Sequence, residues 1–188
     1  MPDHNLFSFV AGNAGEWRIE RMDVICGSGL PAARTLSMIR GDWGAAESGV
    51  AWVLRGVTSN LRYTTDSERK NLVSRQAGLG RNEARRAALI PISKSAQWWQ
   101  LAQDERRKIF EESSHHIAIG YEYLPAVARQ LHHSRDLGEA FDFLTWFEYD
   151  AGDEAAFDEL VVRLRETEEW RFVDREIDIR LIRDGKTE

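Results

Sequence analysis

The sequence predicts an α+β protein that contains a ferredoxin-like βαββαβ unit, preceded by a truncated copy of the same unit. Residues 89–188 alternate strand-like and helical segments in that order. Residues 1–88 contain strand-like segments but only one helical segment, so we interpret that half as a repeat that lacks a helix. No linker rich in proline, glycine or serine separates the halves, and we expect them to pack as one body.

The first half is interpreted as strands followed by one helix. Runs rich in aromatic and β-branched residues predict strands over residues 5–11, 16–25 and 50–65. Residues 27–49 hold five of the fourteen glycines and are interpreted as a loop. A helix is expected to begin at Thr65 or Asp66 and to end at Gly80 as its C-cap.

The second half has clearer periodicity. Strands are predicted over residues 87–94, 125–133, 140–149 and 171–182. A long helix is expected over residues 95–120, with a break near Asp104. Residues 153–169 form an amphipathic helix whose apolar face carries Phe157, Leu160, Val161 and Leu164.

Composition restricts the class of protein and its partners. The chain has 188 residues, is 43% hydrophobic and contains seven tryptophans, which is enough to bury a substantial core. A net charge of −6 argues against a nucleic-acid partner. The sequence shows neither a signal-peptide pattern nor an apolar run long enough to cross a membrane, so we expect a cytoplasmic protein without a membrane partner. The single cysteine, Cys26, excludes an intrachain disulfide and a zinc site built on paired cysteines.

Four of the five histidines fall within residues 113–133. At 100° per residue His116 lies on the apolar side of the predicted helix, next to the small Ser113, while His115 lies on the solvent side. An inward histidine is either a hydrogen-bonded core residue or a ligand. His132 and His133 are expected near a strand end, at the surface or in a turn.

Arg129 is anomalous because it shares one face of the predicted strand with the apolar Val127 and Leu131. If its face of the sheet points inward, the buried cation needs an anionic partner, which could be a ligand. The alternative is an edge-strand arginine that faces water. Lys94 at a strand end, and the acids Glu166, Glu168 and Glu169 at a helix end, are further candidates, since acids are disfavoured at helix C-termini. Each of these acids could also be simply solvated.

Taken together, these segments resemble the chlorite dismutase family of haem proteins over most of the chain. The block from Lys94 to Glu148 carries the resemblance, above all a histidine followed thirteen residues later by an arginine within "YLPAVAR". His116 and Arg129 have that spacing, whereas His115 would give fourteen. The shorter N-terminal half resembles the dimeric branch of the family, which implies a dimeric α/β-barrel type of fold and a homodimer.

The resemblance also implies residue roles. His116 is similar to the proximal ligand of a non-covalent b-type haem, and the absence of a CxxCH motif agrees with non-covalent binding. Glu169 resembles the acid that accepts the imidazole N–H, with Glu168 as its rival, and Lys94 resembles the lysine that pairs with that acid. Arg129 resembles the distal arginine of the family, and Gln76 resembles the distal glutamine that orients it. Asn60 and Tyr63 resemble residues that contact the haem propionates. Trp98, Phe143 and Trp146 are either pocket walls or core, and we favour core for each.

The activity implied by this resemblance is conversion of chlorite to chloride and dioxygen, with Arg129 binding the anion and retaining a hypochlorite-like fragment. Glu111 departs from the longer branch of the family, which has an aromatic residue at this place. Two alternatives remain. A coproporphyrin-iron decarboxylase is disfavoured because those relatives generally lack the distal arginine, and a non-catalytic haem-binding or haem-sensing module needs only the histidine and the arginine.

Overall fold

The structure, a computed structural model, describes residues 5–44, 48–58 and 65–183. Within this part of the chain the strands are β1 (Leu6–Gly12), β2 (Trp17–Cys26), β3 (Thr35–Arg40), β4 (Val50–Val57), β5 (Arg86–Lys94), β6 (Ala128–His133), β7 (Phe143–Tyr149) and β8 (Val173–Ile182). They form a closed antiparallel barrel in the order β1-β3-β2-β8-β5-β7-β6-β4. The barrel closes between β4 and β6 through the pair Val57 and His133.

The helices of the described residues all lie outside the barrel. They are α1 (Asp66–Arg75), α2 (Ala96–Gln100), α3 (Gln103–Arg107), α4 (His116–Glu122) and α5 (Glu154–Arg165), with a π-helical segment, Lys108–Ser113, between α3 and α4. The predicted mixture of strands and helices is therefore confirmed. None of these helices is long and apolar enough to cross a membrane.

The loop prediction for residues 27–49 is wrong in part, because it contains β3. The segment "TLSMIR" pairs along its full length with β1 and buries Leu36 completely in the barrel. The glycines that suggested a loop flank this strand on both sides, and Gly41 follows it with a φ of 101°. The β-forming residues of this short segment were outweighed by the glycine-rich composition of residues 27–49 as a whole.

Helix α1 ends earlier than predicted, at Arg75 rather than at Gly80. Two side-chain contacts explain this end. The amide of Gln76 donates from Nε2 to the main-chain oxygen of Arg129 at 2.7 Å, and the main-chain N–H of Gly80 donates to Oε2 of Glu148 at 2.6 Å. After Arg75 the chain therefore contacts the barrel through Gln76 and Gly80 instead of continuing as a helix.

The long helix predicted over residues 95–120 is interrupted in two places, the first of them close to the break expected near Asp104. Leu101 and Ala102 have extended backbone angles, which separates α2 from α3. His115 has a φ of 53°, a left-handed conformation that separates the π-helical segment from α4. A helical wheel at 100° per residue therefore does not apply across this region.

Two apolar clusters lie on opposite faces of the sheet. The barrel interior contains Phe9, Trp17, Leu36, Trp146 and Ile179, all at most 2% exposed. The outer face of β5, β7 and β8 packs against α4 and α5 through a second cluster, which includes Tyr149, Phe157, Leu160 and Leu164. This second layer leaves a space beside it, which contains the candidate site.

Candidate active site

A cavity of about 310 Å³ lies between the outer face of the barrel and the helices that cover it. This volume is at the lower end of the roughly 300–1,000 Å³ typical of small-molecule sites. Alternate residues of β5, β6 and β7 supply one wall, and α4 and α5 supply the other. The residues assigned a catalytic, ligand or supporting role from the sequence, apart from Asn60 and Tyr63, all line this one cavity: Gln76, Lys94, His116, Arg129 and Glu169.

His116 is held by a buried carboxylate on one side of the cavity. Its Nδ1 lies 2.7 Å from Oε2 of Glu169, and Oε1 of the same carboxylate accepts a 2.7 Å hydrogen bond from Nζ of Lys94. Burial alone would raise the pKa of Glu169, but Lys94 and His116 lower it to about 2, so this acid is ionised. The carboxylate therefore fixes the ring and leaves its Nε2 as the nitrogen available for a ligand.

The position of Glu169 follows from contacts of its own main chain. It begins the short 3₁₀-helical segment Glu169–Phe172 after α5, and its N–H donates to Oγ of Ser114 at 2.9 Å. Glu169 is 4% exposed, whereas Glu168 is exposed to solvent. Of these two acids, only Glu169 faces the imidazole.

The orientation of His116 depends on the irregular backbone before it. The left-handed residue His115 points to solvent, as predicted, and lets α4 begin with His116 directed at the cavity. Phe110 of the π-helical segment stacks on the imidazole, with ring centroids 4.5 Å apart and an interplanar angle of 26°. The small buried neighbour is Ser114, whereas Ser113 is exposed, so the predicted packing of Ser113 beside His116 is wrong.

Arg129 lines the same cavity from β6, on the face that it shares with Leu131 and His133. Within the described residues its guanidinium has neither a hydrogen bond nor an ion pair, and burial lowers its pKa below the ordinary range for arginine. Gln76 bonds the main-chain oxygen of Arg129 rather than the guanidinium, and its Oε1 is buried with no partner among the described residues. The arrangement is a partly desolvated cation that faces a largely apolar space.

Comparison with known proteins gives a consistent result. The sequence model for chlorite dismutase matches residues 45–183. The chain belongs to the chlorite dismutase family. The predicted family is thereby confirmed.

The relatives differ in how much of each chain is matched. A crystal structure of dimeric chlorite dismutases from Nitrobacter winogradskyi is 53% identical and has a TM-score of 0.87, covering 95% of this chain and 99% of that one. Chlorite dismutase from Ideonella dechloratans is 32% identical over 127 residues, which span 66% of this chain but only 42% of that relative. A mutant chlorite dismutase from Candidatus Nitrospira defluvii is 20% identical with a TM-score of 0.66 over 97% and 92% of the two chains, a similarity that concerns the fold.

The remaining predicted site residues fall in several places. Trp98 and Phe143 line the cavity, while Trp146 lies in the barrel core and donates from Nε1 to Oε1 of Glu148 at 2.9 Å. Asn60 and Tyr63 lie outside the described residues, so their roles stay predictions.

His132 and His133 are buried on β6 at 0% and 5% exposure, and the prediction that they lie at the surface is wrong. His132 packs edge-on against Phe7 and Phe9 inside the barrel, where burial lowers its pKa to about 4. His133 faces the cavity and packs edge-on against Phe143. His132 is buried because its side chain points into the barrel, and His133 because it packs against Phe143 in the wall of the cavity.

Sequence reasoning missed two residues that support the side chains of this cavity. Asp142 accepts hydrogen bonds from the main-chain N–H of Lys94 at 2.7 Å and from Nε1 of Trp99 at 3.1 Å. Trp170 stacks near His116, with centroids 6.3 Å apart, and donates from Nε1 to Oε2 of Glu176 at 2.7 Å. The tryptophan directly after Glu169 in "EEW" was the available sequence signal, whereas the contacts of Asp142 join segments that are distant in the sequence.

Proposed function

We propose that this protein is a haem b enzyme that converts chlorite into chloride and dioxygen. The observation that carries this proposal is the pairing of two features in one cavity. An imidazole oriented by the buried Glu169–Lys94 pair faces the cavity from one side. The guanidinium of Arg129, which has no hydrogen bond or ion pair to any described residue, faces it from β6. Such a pair suits a metal ligand and an anion site.

The residues present fit a non-covalent haem. Nδ1 of His116 is occupied by Glu169, so Nε2 would be the nitrogen that ligates iron. The walls offer flat apolar surfaces, including Phe143, Phe147 and Ile90, against which a planar macrocycle packs. When bound, the haem iron supplies the redox centre at which the Cl–O bond of chlorite is cleaved.

The chain's own residues would prepare that reaction. Glu169 accepts the Nδ1–H of His116 and makes the imidazole a stronger donor, and Lys94 keeps this acid ionised. The cation of Arg129 attracts the chlorite anion and holds the hypochlorite-like fragment by charge-assisted hydrogen bonds until dioxygen and chloride leave. The apolar walls limit competing water.

The direct test is oxygen release. Protein reconstituted with haem and mixed with chlorite should evolve one dioxygen for each chlorite consumed, measured with an oxygen electrode together with chloride analysis. Haem binding without oxygen release would favour a binding or sensing module. Decarboxylation of coproporphyrin-iron without oxygen release would favour the decarboxylase, which the presence of Arg129 disfavours.

Replacing Arg129 tests its role within this reaction. Arg129→Ala should fold and bind haem but lose chlorite affinity, since a charge-assisted hydrogen bond contributes roughly 1.5–3 kcal/mol. It should also release more hypochlorite per chlorite consumed and bleach faster, and a hypochlorite scavenger should relieve the bleaching. Arg129→Lys should fall between because it keeps the charge without the planar fork. Wild-type affinity, yield and bleaching in Arg129→Ala would remove this role.

We also propose a homodimer, supported by the 53% identical relative from Nitrobacter winogradskyi, which is described as dimeric. We also propose two ferredoxin-like halves, as expected from the sequence, because the strand orders β4-β1-β3-β2 and β8-β5-β7-β6 are equivalent. The boundary predicted between residues 88 and 89 falls inside β5 (Arg86–Lys94), so the proposed division lies before Arg86. The cytoplasmic location expected from the sequence stays a prediction.

A further inference from the structure

Gly120 is buried in helix α4, one turn after His116 and on the same side of the helix. Apart from proline, glycine is the least favourable residue inside a helix, so its presence there needs a reason. The backbone does not supply one, because Gly120 is not among the described residues with positive φ. The reason has to come from what lies against it.

The group that lies against Gly120 is the guanidinium of Arg129. A Cβ atom on residue 120 would lie 2.7 Å from both Cζ and Nη2 of Arg129 and closer still to Nη1. Real side chains essentially never approach so closely, so either the residue or the guanidinium must move. The arginine therefore occupies the volume that any other residue at position 120 would fill.

Other contacts favour this position of the guanidinium. The carboxylate of Glu111 adds a compensating negative charge nearby. The hydrogen bond from Gln76 to the main-chain oxygen of Arg129 fixes the start of the side chain on β6.

We propose that Gly120 is the positioning residue for Arg129, and that it sets where the cationic end of the anion site lies by leaving bare backbone for the guanidinium to pack against. The positional part of this inference depends on packing alone. Its consequence for anion binding rests on the proposed function.

The packing is tested by a double-mutant cycle in the haem-free protein, with the wild type, Gly120→Ala, Arg129→Ala and the double variant compared by thermal unfolding. Gly120→Ala should change Tm less favourably when Arg129 is present, because the flexible end of that side chain must then move away from the helix. In the Arg129→Ala background the same change should raise Tm by about 2–4 °C, because alanine is the better helix former and the space is now open. Gly78→Ala, where a Cβ would meet nothing within 4 Å, is the matched control and should give the same shift in both backgrounds. The same Tm change for Gly120→Ala in both backgrounds would overturn the proposal.

The functional consequence is tested with azide as a small anionic probe, titrated into the haem-reconstituted ferric protein and followed by the Soret band. Gly120→Ala should weaken azide binding by roughly 10-fold, in the direction of Arg129→Ala, and should cause no further loss when Arg129 is already alanine. If Arg129→Ala leaves azide affinity unchanged while the Tm effects are coupled, the proposed anion role fails and the positioning role holds. The positioning role alone would be refuted if Arg129→Ala weakens azide binding while Gly120→Ala keeps the wild-type affinity and the Tm effects of the two changes are not coupled.

Discussion

Two buried charge clusters lie beside helix α5 and differ in what they leave open. The imidazole cluster consists of Lys94, Glu169 and His116, and the side chains of its lysine and acid are 2% and 5% exposed. The α5 cluster consists of Arg165, Glu176, Asp178 and Arg180, and the side chains of the last three are 1–5% exposed. Burial alone therefore does not distinguish the two.

The difference lies in the unused groups. In the α5 cluster the carboxylates of Glu176 and Asp178 are bound by guanidinium groups at 2.5–3.0 Å, and Arg180 also reaches Asp158 at 2.7 Å. The imidazole cluster ends in a ring whose Nδ1 is taken and which faces a cavity. A closed set of ion pairs stabilises a fold, whereas a set that ends in an available nitrogen can bind a ligand.

The largest expected effect is on folding and comes from the α5 cluster. Arg180→Ala should lower the free energy of unfolding by about 3–5 kcal/mol, because it leaves the buried Asp178 short of its partner. The control is Arg21→Ala, which breaks an exposed pair with Asp23 and should cost at most about 1 kcal/mol. Urea unfolding measures both, and equal losses would contradict the view that this closed cluster is structural.

The imidazole cluster should show the opposite behaviour, a large effect on haem and a small one on folding. His116→Ala should lose most haem or bind it with an altered iron environment, because it removes the nitrogen that faces the cavity. His115→Ala is the matched control, since His115 is exposed, and should keep the wild-type absorption spectrum. If His115→Ala lost haem and His116→Ala kept the wild-type spectrum, His115 would be the ligand.

The sequence could predict α5 because its signal is local, namely the 3.6-residue period of residues 153–169. The main site residues were predicted in another way, because the spacing of His116 and Arg129 resembles the family's pattern. The α5 cluster was not predictable, because the alternation of Glu176, Asp178 and Arg180 on β8 is typical of a strand with one face in water. Helix α5 covers that face instead, and long-range pairings such as β2 with β8 leave no local pattern.

A smaller effect should separate Glu169 from Glu168. Glu169→Gln should weaken donation from the imidazole, raise the iron reduction potential and lower turnover by about 10–100-fold while haem stays bound. Glu168→Gln should change neither, since Glu168 is exposed. An unchanged potential in Glu169→Gln with a raised one in Glu168→Gln would move the assignment by one residue.

Glu169→Gln also leaves the Lys94 ammonium buried without its carboxylate, so a loss of stability has to be separated from the change in potential. The ammonium lies over the rings of Trp98 and Trp170, at 4.7 and 5.3 Å from their centroids, and these contacts limit the loss. Lys94→Met in the Glu169→Gln background should recover stability but not the wild-type potential. Recovery of both would mean that the potential follows the packing rather than the acid.

The smallest expected effect is the pH dependence of the α5 cluster. Burial raises the pKa of Asp178, but Arg180 and Arg165 outweigh it, and the net pKa is below the ordinary value. Because the unfolded chain has the higher pKa, about 3.9, the carboxylate contributes stability that is fully present above that pH. This contribution is lost as the pH falls through the lower, folded pKa. Asp178→Asn should therefore lower the free energy of unfolding at neutral pH, and its difference from the wild type should shrink in acid.

Urea unfolding of the haem-free protein from pH 7 to pH 3 measures this difference. Asp66→Asn is the control, because its pair with Lys70 is exposed at the surface of α1, and its effect should stay within about 1 kcal/mol at every pH. A difference between Asp178→Asn and the wild type that persists unchanged in acid would mean that shape and hydrogen bonding, rather than ionisation, make this aspartate important. The α5 cluster would then stabilise the fold as a packed polar group, and its contrast with the imidazole cluster would no longer rest on charge.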